Sequence, residues 1–147
     1  MAVTVEILTP ERVVMQTEAD AVVVPAVDGE LGILSQHAAL LAELQAGEIR
    51  LRRGDQIELF AVSGGFIDVR ENRARIFVET AEMAQEIDAE RARQAAERAK
   101  AALRNPQRDM SLEEAEAALR RALARLRVAE NVRRRFGSRH PNQSPQQ

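Results

Sequence analysis

Apolar and polar positions alternate along the first half of the chain. Along the second half apolar positions recur every three or four residues, and the period changes near residue 82. Val3, Val5 and Ile7 alternate with Thr4 and Glu6, and Ile49 and Leu51 with Glu48, Arg50 and Arg52. Ile57 and Leu59 alternate with Gln56 and Glu58, and Ile76 and Val78 with Arg75 and Glu79. A period of two gives a strand one buried face. Val22 to Val24 reads as a more deeply buried strand that stops at Pro25. The run His37 to Leu44 has the apolar content of a short helix but reads as strand and loop. Asp28-Gly29, Gly47-Glu48, Gly54-Asp55, Gly64-Gly65 and Glu71-Asn72 supply turns between the runs. Short strands spaced about 8–12 residues apart predict an antiparallel β-sandwich or barrel.

After residue 84 the chain is rich in Ala, Arg and Glu. Asp88 suits the N-cap of a helix over 89–104, with Ala92, Ala95, Ala96, Ala99 and Leu103 on one face. Asn105-Pro106 breaks that helix, because proline lacks the amide and crowds the preceding turn. Ser111-Leu-Glu-Glu114 is a capping box, in which the hydroxyl takes the Glu114 amide and that carboxylate reaches back. It opens a second helix over 112–135, striped by Leu112, Ala115, Leu119, Ala122, Leu126 and Ala129, with Gly137 as its stop. The fold class expected is therefore α+β: an N-terminal antiparallel β-sandwich, residues 1–84, followed by a C-terminal antiparallel two-helix hairpin, residues 85–136. Residues 137–147, polar and proline-bearing, read as a disordered tail. Both stripes are narrow and mostly alanine, so the two helices bury little apolar area and their docking is expected to be weak.

Charge divides the chain at the same place. Residues 1–84 carry 14 acidic and 7 basic side chains, a net of −7, while residues 85–147 carry 9 and 14, a net of +5. The basic half suits an acidic partner. Nucleic acid is one acidic candidate and is disfavoured: there is no Trp or Tyr, and Phe136 is the one aromatic in the basic half, so bases have almost no platform to stack on. The absence of cysteine removes disulfides and thiolate chemistry and fits a reducing compartment. No stretch reads as a signal peptide or approaches the ~20 apolar residues of a membrane span, so membrane association is expected only through a partner.

Candidate chemistry is sparse. His37 and His140 stand apart from any metal-ligand spacing, and Ser63 reads as a turn residue rather than a nucleophile. Gly29-x-x-Gly32 and Gly64-Gly65 are too poor in glycine for a phosphate loop, and no Lys follows either. No catalytic residue and no metal site is expected. The arginines are the exception. Arg91 and Arg98 share a face of the first helix, and Arg121 and Arg125 a face of the second, so a closed hairpin would turn both pairs toward one anion. The plainer reading is a solvated basic face with local pairs such as Glu116 with Arg120 and Glu130 with Arg134.

Three stretches together resemble one family. Gly29-Glu-Leu-Gly-Ile-Leu34 with His37-Ala38, Ser63-Gly-Gly-Phe66 with Val69, and Ile87-Asp-Ala-Glu-Arg-Ala92 match, in order and spacing, signatures of the bacterial F-type ATP synthase epsilon chain. The resemblance covers about residues 3–135; many members have proline where this chain has Ser35. It implies a non-catalytic rotor subunit of the central stalk, on the cytoplasmic face of the plasma membrane. The sandwich would bind the gamma subunit and the c-subunit ring, and the helices would either fold on the sandwich or extend toward the alpha and beta subunits and inhibit ATP hydrolysis. It also implies ATP as a regulatory ligand rather than a required cofactor. Ile87, Asp88, Arg91 and Ala92 would form the nucleotide motif, with Arg98, Arg121 and Arg125 near the phosphates. A stand-alone ATP-sensing regulatory protein is the alternative, and a coiled-coil adaptor is disfavoured by the alanine seam.

Overall fold

The computed structural model describes residues 1–104 and 111–137, with side chains described through residue 131. Ten strands make up the N-terminal half: β1 (Val3–Leu8), β2 (Val13–Ala19), β3 (Ala21–Ala26), β4 (Gly29–Leu34), β5 (Leu40–Leu44), β6 (Gly47–Arg53), β7 (Gln56–Val62), β8 (Gly65–Arg70), β9 (Arg73–Val78) and β10 (Ala81–Met83). A 3-10 turn, Ala84–Glu86, leads into α1 (Ala89–Arg104) and then α2 (Leu112–Gly137).

The strands follow one hydrogen-bonded path, β10-β7-β6-β3-β5-β8-β9-β1-β2, with β4 added to β3. A single residue pair, Ala26 with Leu44, joins β3 to β5. The path folds over there into two layers, β10-β7-β6-β3-β4 and β5-β8-β9-β1-β2. Bonds to β2 and to Asp20, the link from β2 to β3, close the far side: Arg53 donates to Thr17 Oγ1 at 3.1 Å, the Asp20 amide to the Arg52 carbonyl at 2.8 Å, and the Gly54 amide to Asp20 Oδ2 at 2.6 Å. Between the layers lie Val3, Val5, Ile7, Val22, Val24, Ile33, Ile49, Leu51, Phe60, Ile67 and Ile76, each at 0–1% exposure. The α+β class and the sandwich-then-hairpin order are those the period change implies. One pairing departs from a purely antiparallel sandwich, since β1 runs parallel to β9.

Three strand expectations need correction. β3 does not stop at Pro25 but runs to Ala26. Proline is tolerated because its carbonyl still accepts, from the Gln45 amide at 2.9 Å. In β7 the inward positions are Phe60 and Val62, not Ile57 and Leu59: Ile57 is left 38% exposed, and Leu59 is buried on the outer face with Ala61. Gly47-Glu48 does not turn the chain but opens β6. Its Cβ-free position is required, because a methyl there would meet Pro25 Cβ at 2.8 Å. Glu71 and Asn72, at φ of 51° and 59°, make the tight turn of the β8–β9 hairpin.

α1 starts where its cap is. Asp88 Oδ1 accepts from the amides of Glu90 at 3.0 Å and Arg91 at 3.2 Å. Ser111 Oγ accepts from the Glu114 amide at 3.2 Å; among the described hydrogen bonds, only this hydroxyl half of the capping box forms. The helices pack through Ala92, Ala96 and Ala99 of α1 and Ala115, Ala122 and Ala129 of α2, all buried, with Leu119 and Leu126 half-buried and Leu112 exposed. α2 carries a second buried set, Ala124 and Val128, and lies on the outer face of β6 and β7. The Asn105-Pro106 break and the tail beyond Gly137 lie outside the described residues. Among the described residues, no helix is long and apolar enough to cross a membrane.

Candidate functional site

The site begins with β7. Its outer residues Leu59 and Ala61 would face solvent in a bare sandwich. Instead they form a small second core with Ala84, Val128 and the half-buried Ile87. This cluster docks α2 on the sandwich and leaves a cleft of about 450 Å³ on the α1 side. The walls of the cleft are Ala61, Val62, Ser63 and Thr80 below, and alanines of both helices above.

Arg98 of α1 and Arg121 and Arg125 of α2 line this one cleft, together with Glu82 of β10. Antiparallel packing brings residues from distant turns of the two helices to the same opening. Arg125 pairs with Glu82: a terminal guanidinium nitrogen donates to Oε2 at 3.1 Å, and Nε lies 2.8 Å from Oε1 without hydrogen-bond alignment. Arg98 and Arg121 have no carboxylate within 4.0 Å among the described residues. Three guanidiniums against one carboxylate leave the cleft cationic, with apolar alanine walls. Such a lining suits an anion attached to an apolar body, and planar guanidinium forks suit phosphate oxygens.

The other predicted site residues are not in the lining of the cleft. Asp88 is engaged as the α1 cap, with one carboxylate oxygen on two backbone amides. Ile87 packs in the second core, Ala92 is fully buried in the helix seam, and Arg91 is exposed. Of the local pairs in the plainer reading, Glu116 and Arg120 form no ion pair among the described residues, while Arg93–Glu90 at 2.7 Å and Lys100–Glu97 at 3.7 Å are local pairs of the same kind. The Arg134 side chain lies outside the described set.

Sequence reasoning missed Glu82 and a second contact between hairpin and sandwich, in which Asn131 Nδ2 donates to Glu48 Oε2 at 2.7 Å. Neither is legible beforehand, because the partners are 43 and 83 residues apart. Ser63 is a structural residue, its hydroxyl accepting the Thr80 amide at 2.9 Å. His37 Nδ1 lies 2.8 Å from its neighbour's carbonyl at Ala38. Among the described residues, no group of three or more acidic or histidine side chains is placed to hold a metal.

Gly65 explains the glycine pair of the second motif. A Cβ there would sit 1.9 Å from the Phe77 carbonyl oxygen, so β8 reaches β9 only with glycine at this position. The next residue, Phe66, stacks on Phe77 at 5.0 Å between centroids.

Comparison with known proteins accounts for both halves. The family model described as ATP synthase, Delta/Epsilon chain, beta-sandwich domain matches residues 2–84, and the one described as its long alpha-helix domain matches residues 85–130. The ATP synthase epsilon chain of Moorella thermoacetica is 50% identical over 125 residues, 84% of this chain and 93% of the relative. That of Herpetosiphon aurantiacus is 46% identical over 135 residues, 92% and 99% of the two. Among solved structures, a chain of the Euglena gracilis mitochondrial ATP synthase superposes with a TM-score of 0.72 at 24% identity, covering 81% of this chain and 76% of that one. At that identity the likeness speaks for the fold alone. With both domains matched and close relatives aligned nearly end to end, the chain belongs to the ATP synthase delta/epsilon chain family.

Proposed function

We propose that the chain is a non-catalytic central-stalk subunit of a rotary F-type ATP synthase, and that its hairpin is a regulatory arm held down by ATP. The observation that carries this reading is the docked hairpin itself, with Arg98, Arg121 and Arg125 around one cleft in a chain whose relatives are epsilon chains. The sandwich is the rotor-binding part. On the layer opposite the hairpin, Leu41 and Phe66 stand 71% and 46% exposed on the outer face of β5 and β8, an apolar surface suited to the gamma subunit. The c-subunit ring is the second rotor partner. The complex places the chain peripherally at the cytoplasmic face of the membrane and couples proton flow to ATP synthesis. Extended, the basic hairpin would reach the alpha and beta subunits and inhibit ATP hydrolysis.

ATP would enter the cleft with its phosphates on Arg98 and Arg121 and, in exchange with Glu82, on Arg125. The nucleobase would lie toward Ile87 and Asp88. The size of the effect is bounded. At 100 times its dissociation constant a ligand stabilises the state it binds by about 2.7 kcal/mol. Shifting a population from 1:99 to 99:1 takes about 5.5 kcal/mol, so ATP biases the arm rather than setting it alone.

Two experiments test the reading. Affinity purification from the native membrane fraction should bring down gamma, alpha and beta; recovery of the chain alone favours the stand-alone ATP sensor. Titration calorimetry on the full chain should show ATP binding that weakens in Arg125→Ala and Arg98→Ala. No heat at millimolar ATP would remove ATP from the account while leaving the rotor assignment intact.

A further inference from the structure

A chain of polar contacts runs from the docked helix to the tip of the β3–β4 hairpin. Asn131 on α2 donates to Glu48 Oε2 at 2.7 Å. On the same face of β6, Arg50 NH1 lies 3.4 Å from Glu48 Oε1. The guanidinium fork of Arg50 is committed elsewhere: it holds Glu30, beside the Gly29 turn, through two bonds of 2.9 and 3.0 Å. The three charged side chains differ in cover. Glu48 is 8% exposed beneath the helix, Arg50 28%, and Glu30 64%.

We propose that Arg50 is a shared counter-ion through which the β3–β4 tip controls how firmly α2 docks. Docking takes the Glu48 carboxylate out of water, and a covered charge must be compensated by a partner. Asn131 supplies a donor that carries no charge, and Arg50 supplies only the edge of a fork that faces Glu30. When Glu30 is drawn off by a basic side chain of a neighbouring subunit, the fork is released to Glu48. Two opposed consequences follow. A better-neutralised carboxylate is a weaker acceptor for Asn131, but the amide-to-carboxylate bond persists and loses only part of its strength. Against that, the desolvation cost of the covered carboxylate is better offset in the docked state, whereas in the undocked state water already solvates Glu48. The charge effect is the larger, so engaging Glu30 tightens α2 on the sandwich. Reciprocity then requires that docking raise the affinity of the tip for that basic group by the same factor. The inference depends on the docked geometry and not on ATP.

Hydrogen exchange on the full chain, without nucleotide, tests it. Glu30→Gln should slow exchange of the α2 amides about two- to fivefold, the range a single exposed charge pair commands. Arg50→Ala should speed it, and Glu30→Gln should then have no effect in the Arg50→Ala background. Asp28→Asn removes a neighbouring acidic charge that makes no ion pair among the described residues, and should leave exchange unchanged. Unchanged or faster exchange in Glu30→Gln overturns the proposal. So does a Glu30→Gln effect that survives Arg50→Ala, or an equal effect from Asp28→Asn, which would point to net charge alone.

Discussion

The sandwich and the hairpin bury their apolar residues in different ways. The sandwich core holds Ala19 and Ala74 but is filled mainly by Ile, Val, Leu and Phe side chains, most of them at 0–1% exposure. Among the described residues, the buried positions of the hairpin are alanines, with Val128 the one larger side chain. A fully buried Ile, Val or Phe contributes about 1.5–3 kcal/mol, whereas a methyl contributes a small part of that. One half is therefore built to hold a shape under load. The other is shaped to fit its dock but held there by little, and its polar contacts, Arg125–Glu82 and Asn131–Glu48, both rest on sandwich carboxylates.

If that contrast is right, equal insults should have unequal effects. Phe60→Ala, in the inter-layer core, should cost about 3–5 kcal/mol and lower the urea midpoint of the whole chain. Gly65→Ala should cost about 1–3 kcal/mol, because the new methyl must push β8 away from the Phe77 carbonyl. An unchanged urea midpoint in either variant would mean that the sandwich does not carry the global stability.

On the hairpin the same logic gives smaller numbers and a different readout. Val128→Ala removes two methyl-sized groups at about 0.8 kcal/mol each, so docking should weaken by about 1.6 kcal/mol. Exchange at the α2 amides should quicken while the urea midpoint of the sandwich stays put. A fall in both together would show that hairpin and sandwich unfold as one unit, and the two-part description would fail. Removing residues 85–147 sharpens the point: the sandwich should keep its strand signal by circular dichroism, with Leu59 and Ala61 newly exposed, and hydrolysis by the reconstituted complex should rise if the arm inhibits.

How far the sequence reveals this depends on the range of the interactions. Caps are local, so Asp88 and Ser111 mark both helix starts, and the stripes of Ala92, Ala96 and Ala99 and of Ala115, Ala122 and Ala129 are visible in the periodicity. The period-two runs of β1, β6 and β9 are legible because the outward positions of each carry polar side chains, such as Glu6, Glu48, Arg50 and Arg75, whether or not they are covered. β7 misleads because the helix covers its outer face. With Leu59, Phe60, Ala61 and Val62 all buried, alternation vanishes and the parity is read off Ile57, which is exposed. β2 and β4 lack a clean alternation, since they are edge strands with polar and glycine positions. Of the site, the convergence of Arg98, Arg121 and Arg125 follows from helical spacing plus closure. Glu82, Glu48 and Asn131 do not, because a carboxylate gives no sign in sequence of which distant helix will land on it.

The smallest effect is a test of pH. Arg50, by hydrogen bond first and by charge second, holds the Glu30 carboxyl below its ordinary value near 4.5. A depressed carboxylate contributes stability that is complete above the unfolded value and is lost as pH falls through the folded one. The difference in unfolding free energy between the native chain and Glu30→Gln should therefore hold steady at neutral pH and close as pH falls below about 4.5. Because Glu30 is 64% exposed, solvent screening keeps the gap toward the low end of about 0.2–1 kcal/mol, and added salt should narrow it. Urea unfolding of both chains across that range measures it. The two halves should answer this one substitution with opposite signs: global stability, which follows the sandwich, slightly lower, and α2 exchange slower. A gap that does not change with pH would mean that the Glu30–Arg50 pair adds nothing to the sandwich. The tip would then act on the helix only by how it shares Arg50 with Glu48.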